Sequence, residues 1–278
     1  MKNQFAELNG TKFYYELAGE GEMLVLIHAG ICDSRMWDDQ FAAFAEHYRV
    51  LRYDWRGAGQ TAVVDTSFSH HDDLYAILNH LEITKAHLVG CSIGGTIAID
   101  FALAFPEKVI SLTTVNSTPR GLKFDDPPPP QWDEVDVACE AGDWERASEL
   151  EVQIWVDGSQ RTPDQVDGRI RDKVRAMNLI QLLNDEKELG EERPLSPPAY
   201  QQLNHIQQPT LIVNSDLDMP RIGKAADFMA ADIPNSTQVT VTGTAHLPNM
   251  EKPDEFNQIV LDFLRRHPIP LRNQMSRE

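Results

Sequence analysis

Apolar residues along this chain follow two alternating rhythms. Strand-length segments rich in apolar residues recur, first as the unbroken run Met23–Ile27 (MLVLI), then at Arg49–Tyr53, around residues 86–91, at Val109–Val115 and at 209–213. A strand covered on both faces needs no polar alternation, so Met23–Ile27 reads as a buried strand and the others as its companions. Between them the apolar residues space out at helical intervals. Leu74, Ile77, Leu78 and Leu81 mark one face of a helix that Ser69 can N-cap. Met36, Phe41, Phe44 and Ala45 mark another over 36–48, and residues 96–105 follow the run at 86–91 as a third. Near the end, a helix over 221–231, a strand over 238–241 and a helix over 253–267 continue the series. Residues 5–8 and 12–17 flank Asn9-Gly10, a hairpin signal. Strands alternating with helices predict an α/β fold, a mostly parallel twisted sheet with helices on both faces.

The rhythm breaks over residues 121–205. A proline run, Pro127 to Pro130, opens a stretch with helical pattern and no clear strand. We read 121–205 as a helical cap inserted into a core made of 1–120 and 206–278, with 268–278 a disordered tail. From Lys123 to Tyr200 there are nineteen acidic and nine basic residues, so much of the acidity of the chain belongs to the cap.

Composition narrows the function class. The chain has 278 residues and a formal net charge of -18, which disfavours nucleic acid and anionic membrane as partners. Its three cysteines form no metal or redox spacing, no apolar run reaches membrane-spanning length, and residues 1–5 lack a signal-peptide pattern. A reducing, cytoplasmic setting is expected. His70, His71, Asp72 and Asp73 are consecutive on one helix turn and so point apart, and no metal site is expected there. Gly57-x-Gly59-x-x-Ala62 follows a strand but opens no helix, so it reads as a turn rather than a dinucleotide site.

The chemistry is carried by Gly90-Cys91-Ser92-Ile93-Gly94, set between a strand and a helix. That context makes Ser92 a nucleophile on a sharp elbow. A serine needs a base, and the base an orienting acid, in the chain order Ser, acid, His at the carboxyl ends of strands. His246, in the loop after the 238–241 strand, is the base. Asp218, just past the 209–213 strand, is the acid, with Asp216 as the alternative. After the preceding strand the corresponding place holds Asn116. The oxyanion donors are the backbone N–H groups of Ile93 and of Gly30, with Ile31 as the alternative to Gly30. Ile31, Trp132, Trp155 and Leu247 are the candidate substrate-pocket residues.

With these pieces in order, the chain resembles the α/β-hydrolase superfamily over nearly its whole length. The likeness rests on His28-Ala29-Gly30, on Asp54 to Gly59, on Gly90 to Gly95, on Asp218, on Gly243 to His246, and on Glu251 to Phe256. Met36-Trp37-Asp38, Arg49 to Gly57 and Ala86 to Gly95 are most similar to 3-oxoadipate enol-lactonases and related small esterases. Ala29 stands where that family usually has glycine, and the proline-rich cap differs from the lactonase cap. The resemblance implies an α/β-hydrolase fold and a cofactor-free serine hydrolase acting on a small carboxylic ester or lactone with water. The same triad could instead serve C–C bond hydrolysis, acyl transfer or perhydrolysis, or the pocket could belong to a slow ligand receptor.

Overall fold

Strand β3 (Met23–Ile27) lies inside an eight-stranded sheet because every one of its residues is buried. The computed structural model describes residues 4–187 and 189–269, and within them the sheet runs in the order β1 (Gln4–Leu8), β2 (Thr11–Ala18), β4 (Arg49–Tyr53), β3, β6 (Ala86–Cys91), β7 (Val109–Val115), β9 (Thr210–Ser215) and β10 (Ser236–Val241). β1 and β2 form the antiparallel hairpin at Asn9-Gly10, and β2 pairs antiparallel with β4. All other pairings in this sheet are parallel.

The pleat sends alternate residues to opposite faces, and each face has its own core. Val25 and Ile27 point to the side covered by α2 (His70–His80), α3 (Ile93–Ala104) and α7 (Pro220–Asp232). Leu24 and Leu26 point to the side covered by α1 (Asp38–Phe44) and α9 (Pro253–Arg265). A short helix, α8 (Pro248–Glu251), precedes α9.

The helical insertion consists of α4 (Trp132–Glu140), α5 (Trp144–Val152) and α6 (Gly168–Asp185), with a π-helical turn over Gln153–Asp157. Its apolar residues do not form a wholly separate core. Val152, Val156, Val174 and Met177 join the cluster under α9, and Val135, Leu150 and Ile154 pack on Met219 and Ile222 at the start of α7. At its other end Ala199 and Leu203 are fully buried in the cluster under α2 and α3.

Four expectations need correction. The 36–48 helix is shorter: a 3-10 turn at Ser34–Trp37 leads into α1, and Tyr48 N–H bonds back to Phe44 O to turn the chain into β4. Ser69 occupies the N-cap position of α2, but its hydroxyl donates to Arg193 O rather than capping. The insertion does contain a strand, β8 (Glu191–Glu192), pairing with β5 (Ser67–Phe68) of the core. The last helix ends at Arg265 rather than 267. Of the expected tail, residues 270–278 lie outside the described residues. Among the described residues no helix is long and apolar enough to cross a membrane.

Candidate active site

Ser92 stands between β6 and α3 with φ 53° and ψ -120°, in the left-handed half of backbone space that a serine rarely occupies. The turn is held by Ser92 N–H donating to Val115 O at 2.8 Å. It also depends on its glycines: a Cβ on Gly90 would meet Gly94 O at 2.2 Å, and one on Gly94 would meet Ile27 O at 2.2 Å. The strain and crowding fix the serine at the strand's end, against the N-terminus of α3.

Asp218 and His246 are both buried, and His246 Nδ1 lies 2.6 Å from Asp218 Oδ2. Asp218 Oδ1 also accepts Met219 N–H at 2.7 Å, which fixes the carboxylate. With Nδ1 donating to the carboxylate, Nε2 carries the lone pair. Asp216 faces solvent instead and accepts Gly243 N–H at 2.6 Å. Ser92 and His246 line one cavity.

The loop carrying His246 is clamped from three directions. Asn116, at φ 46°, donates its amide to Ala245 O and His246 O, both at 3.0 Å, and to Ser215 Oγ at 2.9 Å, while its Oδ1 accepts Ser215 N–H. Glu251 accepts Ala245 N–H at 2.7 Å and is paired with Arg161 of the insertion. His246 N–H itself donates to Trp155 O at 3.2 Å, and the Trp155 ring lies 4.4 Å from the imidazole. The sequence showed Asn116 only as the absence of an acid, and its role in the loop depends on contacts across 130 residues of chain.

Among the described residues, the N–H groups of Ile93, Gly30 and Ile31 meet no protein acceptor. Gly30 lies directly against Ile93: a Cβ there would be 2.7 Å from Ile93 Cδ1. His28, next in the same loop, is buried and stacked on Trp55, with its pKa lowered by burial. Trp55 N–H donates to its Nε2. Burial also pushes up the thiols of Cys32 and Cys91. Cys91 points inward to His246 O.

The cavity has a volume of about 940 Å³ and extends from Ser92 under the insertion. Of the expected pocket residues, Ile31, Trp132 and Trp155 line it. Leu247 does not: it is fully buried in the core under α9, because it leads into α8 and packs inward. A second cavity, of about 430 Å³, shares Ser92, Ile93, Trp155 and His246 with the first and continues toward Lys123 and Arg221. The serine thus sits where two spaces meet, one large and one small.

Several cavity residues escaped the sequence reading. Phe68 and His70 come from the β5–α2 junction, Arg120 follows β7, and Glu151, Asn178, Gln181 and Asp185 come from the insertion. Asn178, Gln181 and Asp185 are spaced three and four apart, so a polar stripe on a helix was the available signal. His70 packs edge-on against Trp55 and Phe68, and burial holds its pKa down at about 3. Asp73 is taken by Arg56 at 2.9 Å. These neighbours in sequence are thus divided between different partners, and residues 57–62 form a hydrogen-bonded turn with no helix.

Comparison with known proteins gives a consistent result. Residues 24–259 match the model of a family described as Alpha/beta hydrolase family. The chain is 29% identical over 240 residues to 3-oxoadipate enol-lactonase 1 of Acinetobacter baylyi, covering 84% of this chain and 85% of that one. It is 28% identical over 258 residues to a pimeloyl-[acyl-carrier protein] methyl ester esterase of Pectobacterium atrosepticum, covering 90% and 97%. In fold it superposes on the crystal structure of an enol-lactonase from Burkholderia xenovorans with a TM-score of 0.78 at 21% identity, over 94% of this chain and 100% of that one.

Proposed function

The chain belongs to the alpha/beta hydrolase family, and from that premise we propose that it is a serine hydrolase of small carboxylic esters or lactones. The observation that carries the reading is the pairing of a strained, cavity-facing Ser92 with a His246 whose Nδ1 is 2.6 Å from a buried carboxylate. Relatives named for lactone and methyl ester cleavage support the same class of substrate.

In this reading His246 Nε2 takes the Ser92 proton as Oγ attacks the acyl carbon. The developing negative charge is met by the N–H groups of Ile93 and Gly30, which have no acceptor among the described residues. The alcohol leaves with the proton held on His246, which then activates water to release the acid. Asp218 keeps the imidazole in the tautomer that can accept at Nε2 and stabilises its charged form. The two cavities that share Ser92 would receive the acyl and alcohol portions.

The experiment is hydrolysis of a p-nitrophenyl ester and lactone panel by the wild type and by Ser92→Ala. The variant should lose about a thousandfold or more in kcat while remaining folded. Full activity in folded Ser92→Ala would sink the mechanism.

A further inference from the structure

His70, the first residue of α2, lines the large cavity, and neither of its ring nitrogens has a hydrogen-bond partner among the described residues. The residue is only 8% exposed. Its ring stands edge-on to Trp55 and to Phe68, with centroids 5.0 and 5.1 Å away, so packing rather than a hydrogen bond fixes its direction. Trp55 in turn stacks on His28, which ties this aromatic wall to the loop that carries Gly30.

The two nitrogens are not equivalent. Nδ1 is sealed off, whereas Nε2 keeps access to the cavity. Burial, with Arg120 and Arg56 nearby, holds the pKa at about 3, so the ring is neutral. A neutral imidazole has one N–H and one lone pair. A sealed N–H without an acceptor is the rarer and costlier arrangement. On that ground the lone pair is assigned to Nδ1 and the proton to Nε2, which turns an unused donor toward the cavity. The rest of the lining selects the acceptor. Glu151, Asp185 and Glu192 lie along the cavity, and its two arginines are already matched, Arg56 by Asp73 and Arg120 by Asp100 and Glu192. A substrate carboxylate would meet like charges and no unpaired guanidinium among the described residues, so an uncharged acceptor fits better. We propose that His70 is a substrate-binding residue whose Nε2–H donates to a neutral carbonyl oxygen on the portion of the substrate lodged in the large cavity. The substrate is then an ester or lactone with a second carbonyl group away from the scissile one. The inference rests on the ester-hydrolase reading for its substrate but not for its binding site.

The test uses esters matched in length. The p-nitrophenyl esters of 4-oxopentanoate, 5-oxohexanoate and 6-oxoheptanoate are compared with those of pentanoate, hexanoate and heptanoate, in which a methylene replaces the keto group. On the alcohol side, 4-oxopentyl butanoate is compared with pentyl butanoate. In at least one pair the keto ester should exceed its counterpart in kcat/KM by about fivefold or more. That excess should fall toward unity in His70→Phe, which removes the donor, or in His70→Leu should the first variant fail to fold. Keto and methylene esters cleaved equally in every pair, or an excess that survives in the folded variant, overturns the assignment. Should no ester be cleaved, the hydrolase reading falls, and heteronuclear NMR of ring-labelled histidine, titrated with hexan-2-one, decides the binding site alone. A shift of the His70 ring signal, identified by its loss in the variant, supports the proposal, and an unmoved signal overturns it.

Discussion

At the scale of single residues, the choice between Asp216 and Asp218 turns on direction. The two lie on either side of Leu217 in the same turn. Only Asp218 is buried against His246, whereas Asp216 faces outward and holds Gly243 N–H. Asp218→Asn should lower kcat by about a thousandfold or more, since an amide at that position favours the wrong tautomer of the histidine. Asp216→Asn keeps an acceptor for Gly243 and should stay within about threefold of wild type. Steady-state kinetics on one p-nitrophenyl ester checks both, and comparable losses in the two would remove Asp218 from its role. The sequence placed these residues because order along the chain and position after a strand are local properties. Leu247 shows where that logic fails: being next to a site residue in sequence does not set which way a side chain points.

At the scale of elements, the insertion is fastened to the loops that carry Asp218 and His246 through its π-helical turn and the residues just after it. Trp155 O and Arg161 both reach the segment from Ala245 to Glu251, and Gly158 packs on Leu217 O beside Asp218. Gly158 has φ 76° and ψ -176°, a conformation open essentially to glycine alone. A Cβ there would be 2.5 Å from Leu217 O. Gly158→Ala should therefore destabilise the protein by about 1–3 kcal/mol and lower turnover with it, as the turn is pushed off both loops. Urea denaturation and kcat measured together check this, and an unchanged midpoint would show that the junction gives way freely. The helical nature of the insertion was visible in its spacing. The two-residue pairing of β8 with β5 was not, because so short a strand leaves no periodic signal.

At the scale of the whole molecule, buried histidines set the response to acid. Burial lowers the pKa of His28, His70 and His87, with His70 held at about 3. The unfolded chain takes up these protons near pH 6.5, the folded chain only at lower pH, so stability is full above about pH 6.5 and falls as the pH drops below it. Carboxylates whose pKa is raised by burial, such as Asp100 and Asp157, act in the opposite sense at lower pH. Urea melts at pH 7.5 and 5.5 should show lower stability at the acid value. His70→Gln should recover about 1 kcal/mol of that difference, and an unaltered slope would remove His70 as a contributor. The order of strands and helices, the elbow, and the serine–acid–histidine succession were legible in the sequence by itself. Each depends on spacing within a short segment, and backbone geometry converts spacing directly into face and turn. The clamp on His246 and the inward turn of Leu247 were decided only by the tertiary structure. They depend on which distant side chains meet, and no local pattern encodes that.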